Sequence, residues 1–333
     1  MKLIVDLMGG DNAPTVVIKG IELALKLGFV QPDEITMVGT DEALDSARRI
    51  KSLRQLEYII CKDAIGMGEK VPVTTVKRKK DSSIVVGLHR LRDNNSDGLV
   101  SAGNSAALTF LATFMLGRVA HGLFPAIAVP MPNIFGQCLL LDIGANAHAT
   151  AKNLLQNAQM GAIYAKNCMG KENPKIGLIN IGEEVDKGNK TVHDAYDLLV
   201  KSGLNFIGFI EGRDIFMGKV DVAITDGFTG NTILKSNEGL VKLLDGAIRA
   251  EFKKHYLSYF SFLAYPFILP MKKALKKRFF DEETGGAILL GVNKPVIFAH
   301  GNSQPLAIAN AIRQAKIEVE AGIVNEIKRG INN

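Results

Sequence analysis

The sequence predicts an α/β fold: a doubly wound, mostly parallel sheet with helices on both faces and a protruding helical segment. Three observations predict it. Short apolar, β-branched runs alternate with amphipathic helical patterns along all 333 residues. The runs are apolar at nearly every position, as in strands covered on both faces. The strands also run into loops of Gly with small polar residues, and most of these lead straight into a helix.

In chain order the strand-like runs are LIVDL, EITMVG, LEYIIC, GLVSA, AIAVP, CLLLDI, KIGLINI, NFIGFI, VDVAIT and PVIFA. Amphipathic helical patterns lie between them at 14–28, 41–53, 104–117, 151–169, 188–202 and 230–254. No repeat, low-complexity tract or Pro/Gly linker divides the chain. A single α/β/α domain over 1–333 is therefore expected, with 240–283 protruding as a helical segment for dimer or membrane contact.

The loops carry the functional signal. They read MGGDNAP, SAGNSAA, DIGANAH, NIGEEVDKGN, TDGFTGN and AHGNS. In a parallel sheet such loops are expected side by side at the carboxyl edge, where ligands bind. Glycine permits close backbone approach, and helix N-termini present free N–H groups, a combination suited to an anion the size of phosphate. One such loop alone is explained by helix capping, because Asn, Ser and Asp are the preferred N-caps. The stretch LINIGEEVDKGNKT resembles a nucleotide-binding P-loop, but Lys187 precedes Gly188 and no Gly-Lys-Ser/Thr follows.

Composition narrows the classes. A formal net charge of +6 and a pI near 9.0 are too mild to establish nucleic-acid binding, and they favour an acidic partner or an anionic surface. Cys61, Cys138 and Cys168 are far apart and form neither a CxxC nor a disulfide framework, which points to a reducing cytoplasm. No run reaches the roughly 18 to 20 apolar residues of a membrane span, and the first residues lack signal-peptide features.

Seven ordered motifs carry a resemblance over nearly the whole chain: VDLMGGDNAP, KRKKDSS, SAGNSAAL, LLDIGAN, KGN, TDGFTGN and GGAILLGVNKPVIFAHG. Together they resemble the bacterial phosphate acyltransferase (PlsX) family. The resemblance implies a fold similar to phosphotransacetylases and to isocitrate and isopropylmalate dehydrogenases. It also implies conversion of acyl-[acyl carrier protein] and inorganic phosphate to acyl phosphate and free carrier protein. The acyl phosphate would feed phosphatidic acid synthesis through a membrane-bound glycerol-3-phosphate acyltransferase. This chain departs from the family pattern at His148, where Asp is usual, and at Glu183, where Thr is usual; it also lacks the usual Gly-Lys in VPMPNIFGQC.

In such a reaction phosphate is itself the nucleophile, so no activated Ser or Cys is needed, and none is evident. Lys187 is expected to orient phosphate or neutralise the tetrahedral intermediate, with Asn231 donating an amide hydrogen bond. Asn189, Asn104, Asn12 and Asn146 are expected to support them, with Gly103 and Gly230 permitting close approach. No metal or cofactor is expected: Asp6, Asp11, Asp142 and Asp226 fit turn capping better than ligation. No histidine is assigned to proton transfer.

The cations Lys77, Arg78, Lys79 and Lys80 are read as a docking surface for the carrier protein, although a solvated face explains them too. The aromatic, Pro-broken stretch 253–278 carries Phe260, Phe262 and Phe267 between basic clusters. It suits a segment lying on anionic lipid, or a dimer contact. A homodimer, cytoplasmic and peripherally bound to the membrane, is the expected assembly. The alternatives are a phosphotransacetylase acting on acyl-CoA, a dehydrogenase of the same architecture, and a non-enzymatic lipid- or phosphate-binding module. The dehydrogenase lacks support, since GMGEK misses the third Gly of a dinucleotide fingerprint.

Overall fold

The computed structural model describes residues 1–69, 78–255 and 285–332. Its strands are β1 (Leu3–Asp6), β2 (Ile35–Gly39), β3 (Glu57–Ile60), β4 (Gly98–Ser101), β5 (Ala126–Asn133) and β6 (Gly136–Leu141). They continue with β7 (Ile176–Ile179), β8 (Phe206–Ile210), β9 (Val222–Ile224), β10 (Ala287–Leu290) and β11 (Val296–Phe298). The helices are α1 (Thr15–Lys26), α2 (Asp41–Arg48), α3 (Ser83–Arg92), α4 (Ser105–Leu116) and α5 (Ala151–Met169). Then come α6 (Lys190–Val200), α7 (Gly212–Met217), α8 (Gly227–His255), α9 (Pro305–Glu320) and α10 (Ile323–Asn332).

All eleven strands form one sheet in the order β3-β2-β1-β4-β11-β10-β5-β6-β9-β7-β8. Alternate side chains feed two cores. Leu3, Val5, Leu139 and Leu141 face α1, α2, α5, α6, α9 and α10, while Ile4, Cys138 and Leu140 face α3, α4 and α7. This two-sided burial is why the strands read as continuous apolar runs. Burial pushes the Cys138 thiol well above its ordinary range, which leaves it an inert core residue.

The sheet is mixed at its centre. β10 pairs antiparallel with both β11 and β5, and β5 pairs antiparallel with β6. Strand direction therefore reverses between the two halves: β1, β2, β3, β4 and β11 run one way, and β6, β7, β8 and β9 run the other. This corrects the expectation that six polar loops lie side by side at one carboxyl edge. Three of them leave one edge of the sheet, after β1, β4 and β11, and three leave the other, after β6, β7 and β9. The reversal comes from the antiparallel β5–β6 hairpin, because β10, antiparallel to both its neighbours, leaves β5 and β11 running the same way. β10 itself is an Ala-Ile-Leu-Leu run absent from the expected strands. So short an apolar run, set between Gly286 and Gly291, gives no periodicity to read.

Candidate active site

Buried Asp142 organises the first loop cluster from the end of β6. Its Oδ1 accepts the backbone N–H groups of Ile127 (3.0 Å), Gly144 (3.1 Å) and Ala145 (3.0 Å), and its Oδ2 accepts that of Asn146 (2.6 Å). Burial raises the carboxyl above its ordinary value, and these amide hydrogen bonds pull it back. The loop so formed is locked onto α8. The Gly227 N–H donates to Asn146 O at 2.9 Å, and Gly230 presses so close to Asp142 O that no side chain fits there. The two sequence-predicted residues Asn146 and Gly230 are thus brought together around Asp142. Asp226 caps α8 by accepting the Thr229 N–H at 2.8 Å, and Asn231 is exposed on the helix's first turns.

The loop after β7 leaves the sheet beside this point, because β7 and β9 are parallel neighbours with Leu178 opposite Ile224. Asn189 caps α6 by accepting the Val192 N–H at 3.0 Å. The Asn180 amide donates to Lys187 O at 2.7 Å and fixes the turn at Gly188. The Lys187 side chain folds back over Gly182: a Cβ added there would lie 2.8 Å from Cδ and 3.2 Å from Nζ. Its ammonium pairs with Glu184 Oε1 at 2.7 Å, and that carboxylate holds the lysine above its ordinary pKa. Glu183, the departure from the family pattern, pairs with Lys219 at 2.7 Å and ties the loop to the end of α7. Asn180 and Gly182 were not among the expected site residues. Their signal is their position, immediately after the apolar run of β7.

The second loop cluster lies at the other edge. Asp11 N donates to Gly301 O at 2.8 Å, Asn12 Nδ2 reaches Asn302 Oδ1 at 3.4 Å, and Gly9 packs directly on Gly103. Buried Asp6 accepts the Ser101 hydroxyl at 2.7 Å, and Ser101 in turn accepts the Gly103 N–H at 3.0 Å. Asn104 requires a correction. It caps α4 through the Ala107 N–H at 3.0 Å, and its amide already donates to the carbonyls of Gly66 (3.2 Å), Met67 (3.0 Å) and Glu69 (3.0 Å). With its hydrogens spent on the backbone, it pins one loop to another rather than offering a donor to phosphate. Strand direction also separates Asn12, Gly103 and Asn104 from Lys187 and Asn231, which sit at opposite edges.

The cationic run is corrected in one position. Lys79 is half-buried and engaged with Glu69 (2.8 Å), Asp63 (3.4 Å) and the Ala64 carbonyl (2.9 Å), so it holds the chain together locally. Arg78 and Lys80 are exposed, and Lys77 lies outside the described residues. Phe260, Phe262 and Phe267, with the rest of 256–283, also lie outside them. Among the described residues no group of acidic, His or Cys side chains is placed to hold a metal ion.

The family model described as a fatty acid synthesis protein matches residues 1–326. The chain is 42% identical over 333 residues to a phosphate acyltransferase of Thermoanaerobacter pseudethanolicus, covering 100% of this chain and 98% of that protein. Among solved structures it resembles a branched-chain phosphotransacylase from Enterococcus faecalis, with a TM-score of 0.59 and 15% identity over 96% of this chain and 99% of that one. It also resembles the EutD phosphotransacetylase from Staphylococcus aureus, with a TM-score of 0.57 and 14% identity over 96% and 94% of the two chains. At these low identities the structural likeness speaks to the fold.

Proposed function

Because the chain belongs to the fatty acid synthesis protein family, whose relatives of this chain are phosphate acyltransferases, we propose that it moves an acyl group from an acyl-[acyl carrier protein] thioester to inorganic phosphate. The products are acyl phosphate and the free carrier thiol, and the acyl phosphate serves phospholipid synthesis. The enzyme is a phosphate acyltransferase by family; the carrier-linked substrate and the pathway are our reading.

One observation carries the assignment of the site. Lys187 and Asn189 share a loop that leaves the sheet next to the Asp142–Gly230 junction bearing Asn146 and Asn231. A phosphate oxygen attacks the thioester carbonyl carbon, a tetrahedral oxyanion forms, and the thiolate leaves with the proton that phosphate gives up. Lys187 holds the phosphate dianion and Asn231 donates to the oxyanion, with Asn189 and Asn146 as further donors. The thiol, with an ordinary pKa of about 8.5, leaves with little acid assistance. Glu184 must release Lys187 when phosphate enters. That pair is solvent-exposed, with side chains 46% and 59% accessible, and such pairs are worth only about 0–1 kcal/mol.

Two variants test the site through phosphate-dependent thiol release. Lys187→Ala should lower kcat by about a hundredfold or more with an unchanged melting temperature. Glu184→Gln should lower the KM for phosphate, since it removes the competing anion. Normal turnover in Lys187→Ala would take the lysine out of the mechanism.

Carrier docking rests on Arg78 and Lys80, the exposed members of the run, together with Lys77. Turnover of the carrier-linked substrate should fall as salt rises and the Debye length shortens below about 10 Å. The loss should shrink in Arg78→Ala/Lys80→Ala; a salt-independent rate in the parent removes this surface. The proposed cytoplasmic enzyme docks reversibly on anionic lipid, near the membrane-bound acyltransferase that consumes its product. Vesicle binding that survives polar substitution of Phe260, Phe262 and Phe267 overturns that role for them.

A further inference from the structure

The loops that carry Lys187 and Asn231 also turn large apolar side chains toward solvent. Ile181 is 80% exposed, Val185 64% and Phe228 70%. Among the described large apolar side chains only Phe135, at 82%, is more exposed than Ile181. Isolated exposed apolar residues are ordinary on protein surfaces, but a group of them around one polar site is not. Ile181 and Val185 flank the acidic pair Glu183–Glu184, two to six residues before Lys187, and Phe228 lies three residues before Asn231. The parallel pairing of β7 with β9 brings both segments off the sheet as neighbours.

The ends of these loops are held from within. Gly227 is bound to Asn146, Asp226 is bonded to Thr229, Asn180 is bonded to Lys187, and Glu183 is tied to Lys219. The three apolar side chains are thus presented from anchored backbone, and folding gains no apolar burial from their position. A substrate with a polar reacting head and an apolar tail accounts for both features. If phosphate and the thioester carbonyl meet at Lys187 and Asn231, the first carbons of the acyl chain must lie against the residues flanking them.

We propose that Ile181, Val185 and Phe228 form an apolar rim that grips the acyl chain next to the reacting carbonyl and sets the preference for long over short chains. The rim rests on the functional reading above and adds the residues that select the substrate. The acyl chain loses contact with water on Phe228, Ile181 and Val185, and each buried methylene favours the longer substrate. A short acyl group reaches the same polar head without filling the rim.

The test is the ratio of kcat/KM for palmitoyl-[acyl carrier protein] to that for butyryl-[acyl carrier protein], measured by phosphate-dependent thiol release. In Phe228→Ser and in Ile181→Ser/Val185→Ser this ratio should fall by about tenfold or more. Phe228→Leu, which stays apolar, should recover most of it. Because both substrates are read on one preparation, a partly misfolded variant leaves the ratio unaffected. A ratio equal to the parent's in both polar variants overturns the rim. So does an equal ratio accompanied by a drop in oligomer size on sedimentation, which assigns the patch to a protein–protein contact. Absence of phosphate-dependent thiol release in the parent protein instead overturns the functional reading.

Discussion

Asp142 shows how a single buried side chain can organise a junction between two loops. Its carboxyl accepts four backbone N–H groups and shapes the turn on which α8 rests. Asp142→Ala strands those donors in a buried place, at about 1–3 kcal/mol for a group left unsatisfied. Urea unfolding should show a loss of about 3 kcal/mol or more, together with reduced activity because Gly230 loses its seat. An unchanged midpoint would mean that water replaces the carboxyl at no cost. The turn-capping role was legible in the sequence, since Asp at a strand end before Gly has few other uses. The role of Asn104 was not. Its partners at 66–69 lie more than thirty residues away, and no local pattern announces a contact between two loops.

Helix α9 packs on α1 and buries Glu318 against Tyr164 of α5. Tyr164 also accepts from Gln314, and Cys168 of α5 stands near the carboxyl. Burial pushes the Glu318 carboxyl up to about 8 from an ordinary 4.5. The folded protein therefore keeps this proton through a range in which the unfolded chain has lost it. Stability contributed here is full below about pH 4.5, falls as pH rises toward 8, and is flat beyond. The loss across that window is on the order of 5 kcal/mol. Glu318→Gln, neutral at every pH, should flatten the melting temperature between pH 5 and 8 and raise it at the upper end; an equally steep profile would exclude Glu318 as its source. Element types with strong periodicity, such as α1 and α5, were legible from the chain alone. β10 was not, because its four residues carry no period and its place in the sheet is set by β5 and β11.

Among the described residues, the folded molecule leaves an apolar stripe uncovered. On α8, Leu240, Leu243 and Leu244 recur at helical spacing and are each more than half exposed. The stripe would suit the homodimer expected from the sequence, with α8 of two copies packed together. Leu243→Glu/Leu244→Glu should shift sedimentation from dimer to monomer, and a variant that remains dimeric places the contact elsewhere. No helix among the described residues is long and apolar enough to cross a membrane.

The chain's own pattern determined the alternation of strand and helix, the two-sided burial, the Gly- and Asn-rich loops, and the family. All of these are local or ordered along the sequence, and local periodicity and turn chemistry carry them. Which loops meet was decided only by the tertiary structure. Three antiparallel pairings reverse the strands between halves and send the loops bearing Asn12, Gly103 and Asn104 to the edge opposite the loops after β6, β7 and β9, which parallel pairing sets side by side. The reason is physical: hydrogen bonding between strands sets their direction, and that choice depends on residues far apart in the chain, which no short window of sequence contains.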